Sequence, residues 1–281
     1  MLRKLFIPTA VLLLMSCSAT RYNAVRRVCD SDISKTSVVG ICVYDITAGK
    51  TVCEYNADQR MRPASCMKIL TAVATLEHLG PQYTYVPQVG DKGWGWCWDD
   101  SETNMVPWSA ERQYTVAGAA FPMLKNSDNM FAESMFRQLS SPYTRQASAR
   151  RINTMLNSAG VDTLQCKVAD GSGLSLYNYL TPRSIVKVLV YAYHRKNIYR
   201  NLYSALPIAG VDGTLRNRMK GTAAENNVHA KTGTVTGISS LSGYYKARNG
   251  HEMCFSIINQ GIPDTGTGRR FQDNICIMLC R

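Results

Sequence analysis

The β-rich runs of this chain fall at its two ends. "VVGICVYDI" (Val38 to Ile46) and "TVCEYNA" (51–57), joined by the turn "TAGK", read as a hairpin. Three further runs, "NVHAKTG", "SSLSGYYKA" and "EMCFSIINQ", begin only after residue 226. The residues between carry apolar positions mostly at helical spacing. Early and late strands can join in one antiparallel sheet, which leaves the middle helices to form a second lobe against it. The expectation is an α+β fold, an antiparallel sheet flanked by helices plus a mostly helical lobe, with a cleft between them as the natural place for a site.

The helical segments have recognisable ends. Ser65 to Leu79 is periodic and is closed by Gly80 and Pro81. Helices follow at about 116–125, at Met130 to Leu139 and at 148–160. "TPRSIVKVLVYAYHR" opens on Thr181 as N-cap and Pro182 at the first helical position. "ADGSGLS" reads as a loop, "AGVDGTLRNRM" as a turn and short helix, and 268–280 as a closing helix. Residues 81–114, including "GWGWCWDD", have poor periodicity.

The first residues read as an export signal. Arg3 and Lys4 precede an apolar run, Leu5 to Met15, of 11 residues, too short to span a bilayer as a helix. It ends in "LMSC", which resembles the lipobox of bacterial lipoproteins, with Cys17 as the acylated first residue of the mature chain. The division expected is a signal peptide at 1–16, a lipidated lead-in with a short amphipathic helix at 17–34, and one large domain at 35–281. Acyl chains on Cys17 would hold the protein on a membrane. The formal charge is +12, and removing residues 1–16, with Arg3 and Lys4, leaves +10. A basic surface suits anionic lipid or cell-wall polymer. Export and the scattered basic residues argue against nucleic acid. Ten cysteines show neither C-x-x-C nor zinc spacing, and Cys276 and Cys280 share a helix face, so they read as core residues.

Three short motifs occur in order: Ser65-Cys66-Met67-Lys68, Ser127-Asp128-Asn129 and Lys231-Thr232-Gly233. At a helix start Ser65 faces free N–H groups and the positive end of the helix dipole. Lys68 lies one turn on, within reach of the hydroxyl. To act as a base it must be neutral, through burial or a neighbouring cation, for which Lys231 is the candidate. Ser127 sits at a loop–helix junction, placed to relay a proton to a leaving amine, and Asn129 to hold an acyl amide and Lys68. On a strand edge, Lys231 and Thr232 can grip a carboxylate, and Gly233 lets a substrate strand approach. The Ser65 and Thr234 N–H groups would form an oxyanion hole. This ordered set is shared by class A β-lactamases and penicillin-binding proteins.

The resemblance extends beyond the tripeptides. "YNADQRMRPASCMKILTAVATLEHLGP", "NSDNMFAE", "DGSGLSLYNYLTP" and "LPIAGVDGTLRNRMKGT" followed by "HAKTGTVTGISSLSGY" resemble the D-alanyl-D-alanine carboxypeptidase/endopeptidases of the penicillin-binding protein 4 type, over most of residues 35–280. That resemblance implies a periplasmic serine peptidase of the bacterial cell envelope. It would act through a Ser65 ester on peptidoglycan peptides ending in, or cross-linked through, D-Ala, with β-lactams as inhibitors and no metal or organic cofactor. It implies roles for Ser65, Lys68, Ser127, Asn129, Lys231 and Thr232. Typical members carry a large insertion between the first two motifs; here Ser65 and Ser127 are 62 residues apart, and 81–114 reads as its remnant.

That spacing resembles class A β-lactamases, which use a glutamate in an E-x-x-L-N loop to hydrolyse the acyl ester. The corresponding stretch, "VDTLQCKVADGSG", holds only Asp162 and Asp170 as carboxylates, which favours the peptidase. A lipoprotein that binds cell-wall peptides without turnover is the third alternative.

Overall fold

The computed structural model describes residue 25 and residues 32–90, 105–107 and 112–281. The expected signal peptide, Cys17 and the "GWGWCWDD" loop lie outside the described residues.

A five-stranded antiparallel sheet forms the frame. In chain order its strands are β1 (Val38–Asp45), β2 (Lys50–Tyr55), β7 (His229–Val235), β8 (Ile238–Lys246) and β9 (Glu252–Gln260). Their spatial order is β2-β1-β9-β8-β7, so the hairpin and the late strands meet at the β1–β9 pair, Val38 opposite Gln260. The expected closure of early and late strands is therefore observed. The central strands are apolar on both faces because both are covered: α6 (Pro182–Tyr193) lies on β1 and β9, and α8 (Thr265–Cys280) packs on β8 from the other side. Cys276 and Cys280 are buried in α8.

The helical lobe is built around α2 (Met67–His78), which touches α3 (Val116–Lys125), α4 (Asn129–Arg137), α5 (Arg145–Ser158), α6 and α7 (Lys196–Ala205). Residues Met67 to Leu76 of α2 are all buried, so even its polar side chains must find partners inside. Thr71 Oγ1 donates to Gly171 O and Thr75 Oγ1 to Thr71 O, both at 2.7 Å. Thr181 caps α6 in a reciprocal bond pair with Ser184, and Pro182 stands at the first helical position, as its sequence predicts.

Three expectations need correction. The helix expected from Ser65 begins as a 3-10 turn, Ala64–Cys66, and becomes α-helical only at Met67. Helix α7 was not foreseen, although Ile198, Leu202 and Ala205 form its buried stripe. Within 81–114, two small ribbons pair β3 (Thr84–Tyr85) with β6 (Tyr114–Thr115) and β4 (Gln88–Gly90) with β5 (Met105–Pro107). A short helix, α1 (Asp32–Thr36), precedes the sheet, and no helix among the described residues is long and apolar enough to cross a membrane.

Candidate active site

The Ser65 turn sits where the helical lobe meets the free edge of the sheet. Pro63 enters it and Ala64 takes φ +45°, a strained value for a residue with a side chain. The turn packs directly on β7 and β8. Ser240 Oγ donates to Pro63 O (2.6 Å), and the Cys66 thiol to Lys231 O (3.3 Å), so the sheet edge is tied to both sides of Ser65. Gly233 fits against the same turn: a Cβ there would lie 2.8 Å from Pro63 O and 2.9 Å from Ser65 N. Its missing side chain makes room for this contact.

Lys68 follows one turn later, with no exposed surface. Its Nζ lies 2.8 Å from Ser65 Oγ, 2.6 Å from Asn129 Oδ1 and 2.8 Å from Ser172 O. As an ammonium it donates to all three. As a neutral amine it has two N–H groups for the two carbonyl oxygens and a lone pair left for the Ser65 hydroxyl. Burial lowers its pKa from 10.5 to about 8, against the opposing pull of Glu133, Asp170 and Asp128. Desolvation, and not the cation expected at Lys231, is what lowers it; the influence runs the other way, with Lys68 lowering Lys231.

Asn129 reaches Lys68 because Asp128 caps α4, accepting from Met130 N (2.8 Å) and Phe131 N (3.1 Å). Ser127, half-buried, precedes the cap at φ +62°, a second strained residue beside the site. Lys231 is fully buried, and its amine donates to Thr232 O (2.8 Å). Burial first, then Lys68, pulls its pKa well below 10.5. The half-buried Thr232 and exposed Thr234 follow on β7. Thr232 Oγ1 donates to Thr214 Oγ1 at 2.8 Å. The turn carrying Thr214 is anchored by the Lys125–Asp212 ion pair (2.8 Å). Within the sheet β7 pairs only with β8, so the outer edge along Lys231 to Val235 is open among the described residues, apart from the Ile208–His229 bridge at its start.

The 170–175 loop closes the site from the lobe side. Asp170 accepts from Gly173 N (2.8 Å), Ser175 N (2.6 Å) and Asn178 Nδ2 (2.6 Å). Gly173 (φ +86°) lies so near the nucleophile turn that a Cβ would stand 1.9 Å from Ala64 O. Asp162 caps a short turn by accepting from Leu164 N (3.0 Å). Of the two aspartates in this stretch, Asp170 has both oxygens committed to the loop, and the exposed Asp162 uses Oδ1 for its cap. On the far side of this loop, a cavity of about 590 Å³ is lined by Arg145, Lys167, Leu174 and Tyr177 and by none of the motif residues.

Sequence reasoning named Ser65, Lys68, Ser127, Asn129, Lys231, Thr232, Gly233 and Thr234; contacts tie Ser65, Lys68, Asn129, Lys231 and Gly233 around one turn, and Ser127, Thr232 and Thr234 adjoin them in the chain. It missed Ser172, Glu133, Thr214 and Ser240, whose closeness is tertiary. Only the "DGSG" string gave a local signal. No cluster of three or more His, Cys, Asp or Glu able to hold a metal occurs among the described residues.

Known proteins bear on this geometry. A D-alanyl-D-alanine carboxypeptidase of Actinomadura sp. (strain R39) is 38% identical over 185 residues, covering 61% of this chain and 33% of that protein. Carboxypeptidase DacB of Mycolicibacterium smegmatis is 37% identical over 153 residues, 51% of this chain and 33% of that one. The matched stretch thus spans about a third of these relatives. Among solved structures, penicillin binding protein 4 (dacB) of Haemophilus influenzae in complex with a β-lactam superposes with a TM-score of 0.73 at 17% identity, over 89% of this chain and 98% of that one. A class A β-lactamase of Bacteroides cellulosilyticus gives 0.68 at 16%, over 93% and 96%. These likenesses establish the fold, the β-lactamase/transpeptidase-like α+β architecture. The profile of the D-Ala-D-Ala carboxypeptidase 3 (S13) family matches residues 24–99 and 119–280, most of the chain. The protein is a member of the D-Ala-D-Ala carboxypeptidase 3 (S13) family.

Proposed function

We propose that this chain is a serine D-Ala-D-Ala carboxypeptidase/endopeptidase acting on peptidoglycan stem peptides through a Ser65 acyl-enzyme. The observation that carries the reading is the fully buried Lys68 amine within 2.8 Å of Ser65 Oγ, with two carbonyl oxygens taking its N–H groups. Neutral Lys68 removes the Ser65 proton as Oγ attacks the carbonyl of the penultimate D-Ala. The oxyanion is held by the Ser65 and Thr234 N–H groups. The proton passes from Lys68 through Ser127 to the departing amine, which leaves as D-alanine or as the amine of a cross-linked peptide. Water then hydrolyses the ester and regenerates Ser65. The open edge of β7 suits an extended peptide laid alongside it. Thr232 offers its hydroxyl to the terminal carboxylate, with the Lys231 amine buried behind it. No cofactor enters.

β-Lactams mimic this acyl donor and are expected to acylate Ser65. A β-lactamase role is less well supported, because the oxygens of Asp170 are taken by the loop and Asp162 serves as a cap. Family membership and the export-like N-terminus support a place in the bacterial envelope, on the periplasmic side, with Cys17 as lipid anchor. An unmodified mature N-terminus lacking Cys17 would remove that anchor. The mechanism is tested with a fluorescent penicillin and peptide mass mapping. Label on Ser65, lost in Ser65→Ala, is expected; label elsewhere, or surviving in the variant, contradicts it.

A further inference from the structure

Helix α4 touches the Lys68 amine twice, once directly and once through the 171–173 loop. The direct contact is Asn129 Oδ1, at the start of the helix. One turn on, Glu133 points from the same helix face into the loop. Its Oε1 accepts from Ser172 N at 2.8 Å and its Oε2 from Gly171 N at 3.4 Å. The opposite side of that loop holds Lys68: Ser172 O accepts from its amine at 2.8 Å, and Gly171 O takes the Thr71 hydroxyl of α2 at 2.7 Å. The peptide groups of Gly171 and Ser172 are thus clamped between Glu133 and α2. A neutral amine aims its lone pair at Ser65 only while both carbonyl acceptors stay in place.

We propose that Glu133 is the positioning residue for the Lys68 base, holding the Ser172 carbonyl against the lysine amine through the Gly171 and Ser172 N–H groups. This deepens, and rests on, the acyl-transfer reading above. Lys68 is faced by Ser65 and Cys66 from its own turn, Asp128, Asn129 and Glu133 from α4, Asp170 from the loop and Lys231 from β7. Of the charges among them, Glu133 acts most strongly to keep the amine protonated. Its own carboxyl is pushed up to about 7, by burial and then by Asp170. Glu133 and Lys68 therefore titrate close together, and the Glu133 charge is fully present only on the alkaline side of pH 7.

Two variants and two readouts test this. The Lys68 titration is followed by NMR of ¹³C-labelled lysine, with the resonance assigned through Lys68→Arg; the penicillin acylation rate of Ser65 is followed against pH. Glu133→Gln keeps one acceptor and loses the charge. The Lys68 midpoint should fall by about 1 pH unit, and the acid limb of acylation should move with it. Glu133→Asp keeps the charge but is one methylene too short to reach both N–H groups. Its midpoint should stay within a few tenths of wild type while the plateau rate drops ~10-fold or more. A merely structural residue would lower the rate and the melting temperature of Glu133→Gln without moving the Lys68 midpoint, and that result overturns the inference. An unchanged plateau in Glu133→Asp overturns it equally, and decides the matter should the glutamine variant not fold. If wild-type Ser65 takes up no penicillin, the acyl-transfer reading fails, while the NMR midpoints still decide the role of Glu133.

Discussion

Gly233 presses its backbone onto the nucleophile turn, where a Cβ would stand 2.9 Å from the Ser65 nitrogen and 2.2 Å from Ser240 Oγ. The Ser240 hydroxyl is itself committed to Pro63 O. A methyl group here must part β7 from the turn that carries Ser65. Gly233→Ala is expected to cost ~1–3 kcal/mol of stability by overpacking and ~10²-fold in the Ser65 acylation rate, because the Ser65 and Thr234 N–H groups no longer converge. Thermal melting and penicillin labelling kinetics measure both. A variant with wild-type labelling would show that the two backbones need not touch.

Lys68 makes stability depend on pH in a defined direction. Its pKa is about 8 in the folded chain against 10.5 in the unfolded one. Between those values the unfolded chain holds the proton more tightly. Stability therefore carries the full burial penalty below pH 8 and recovers as pH rises towards 10.5. Urea unfolding of wild type and of Lys68→Met at pH 7 and pH 10 isolates the effect. Relative to the variant, wild type should gain up to ~3 kcal/mol over that interval. The acylation rate should climb through pH ~8 in parallel. A constant difference between the two proteins would mean that Lys68 titrates as an ordinary lysine.

Thr232 is the polar side chain of the third motif that is not fully buried, and Thr214 holds its hydroxyl in place. Thr232→Val removes a hydroxyl meant for a carboxylate, a bond worth ~1.5–3 kcal/mol. The expected result is a ~10–100-fold fall in kcat/KM for a peptide ending in a free carboxylate. The same peptide with an amidated end should change little. Equal losses on both peptides would place Thr232 outside carboxylate recognition.

The parts of this molecule legible in the sequence are those set by short-range chemistry. Ser65 and Lys68 are three residues apart on one helix start, Asp128 and Asn129 adjoin at a cap, and Lys231 to Thr234 share one strand. Thr181 and Pro182 announced α6 by capping alone, and β-rich runs announced β1, β8 and β9. The parts that escaped are tertiary. Glu133 reads as an ordinary helix glutamate until the 171–173 loop folds over it. Thr214 matters only because Lys125 and Asp212 lock its turn beside β7. Helix α7 was missed because its stripe is short and its tyrosines, Tyr199 and Tyr203, are only partly buried. The left-handed φ of Ala64 could not be read either, since alanine gives no hint of it.

The most direct measurement incubates the protein with a peptide ending in D-Ala-D-Ala and, separately, with benzylpenicillin, and follows both products by mass spectrometry. With both Asp170 oxygens taken by the loop, the penicilloyl group should persist on Ser65, while the D-alanyl ester clears once its leaving group has departed. The predicted result is repeated release of D-alanine, abolished in Ser65→Ala, with penicillin turnover slower by ~10²-fold or more. Rapid multiple-turnover hydrolysis of penicillin, with no D-alanine released from any stem peptide, would contradict the account and make the protein a β-lactamase.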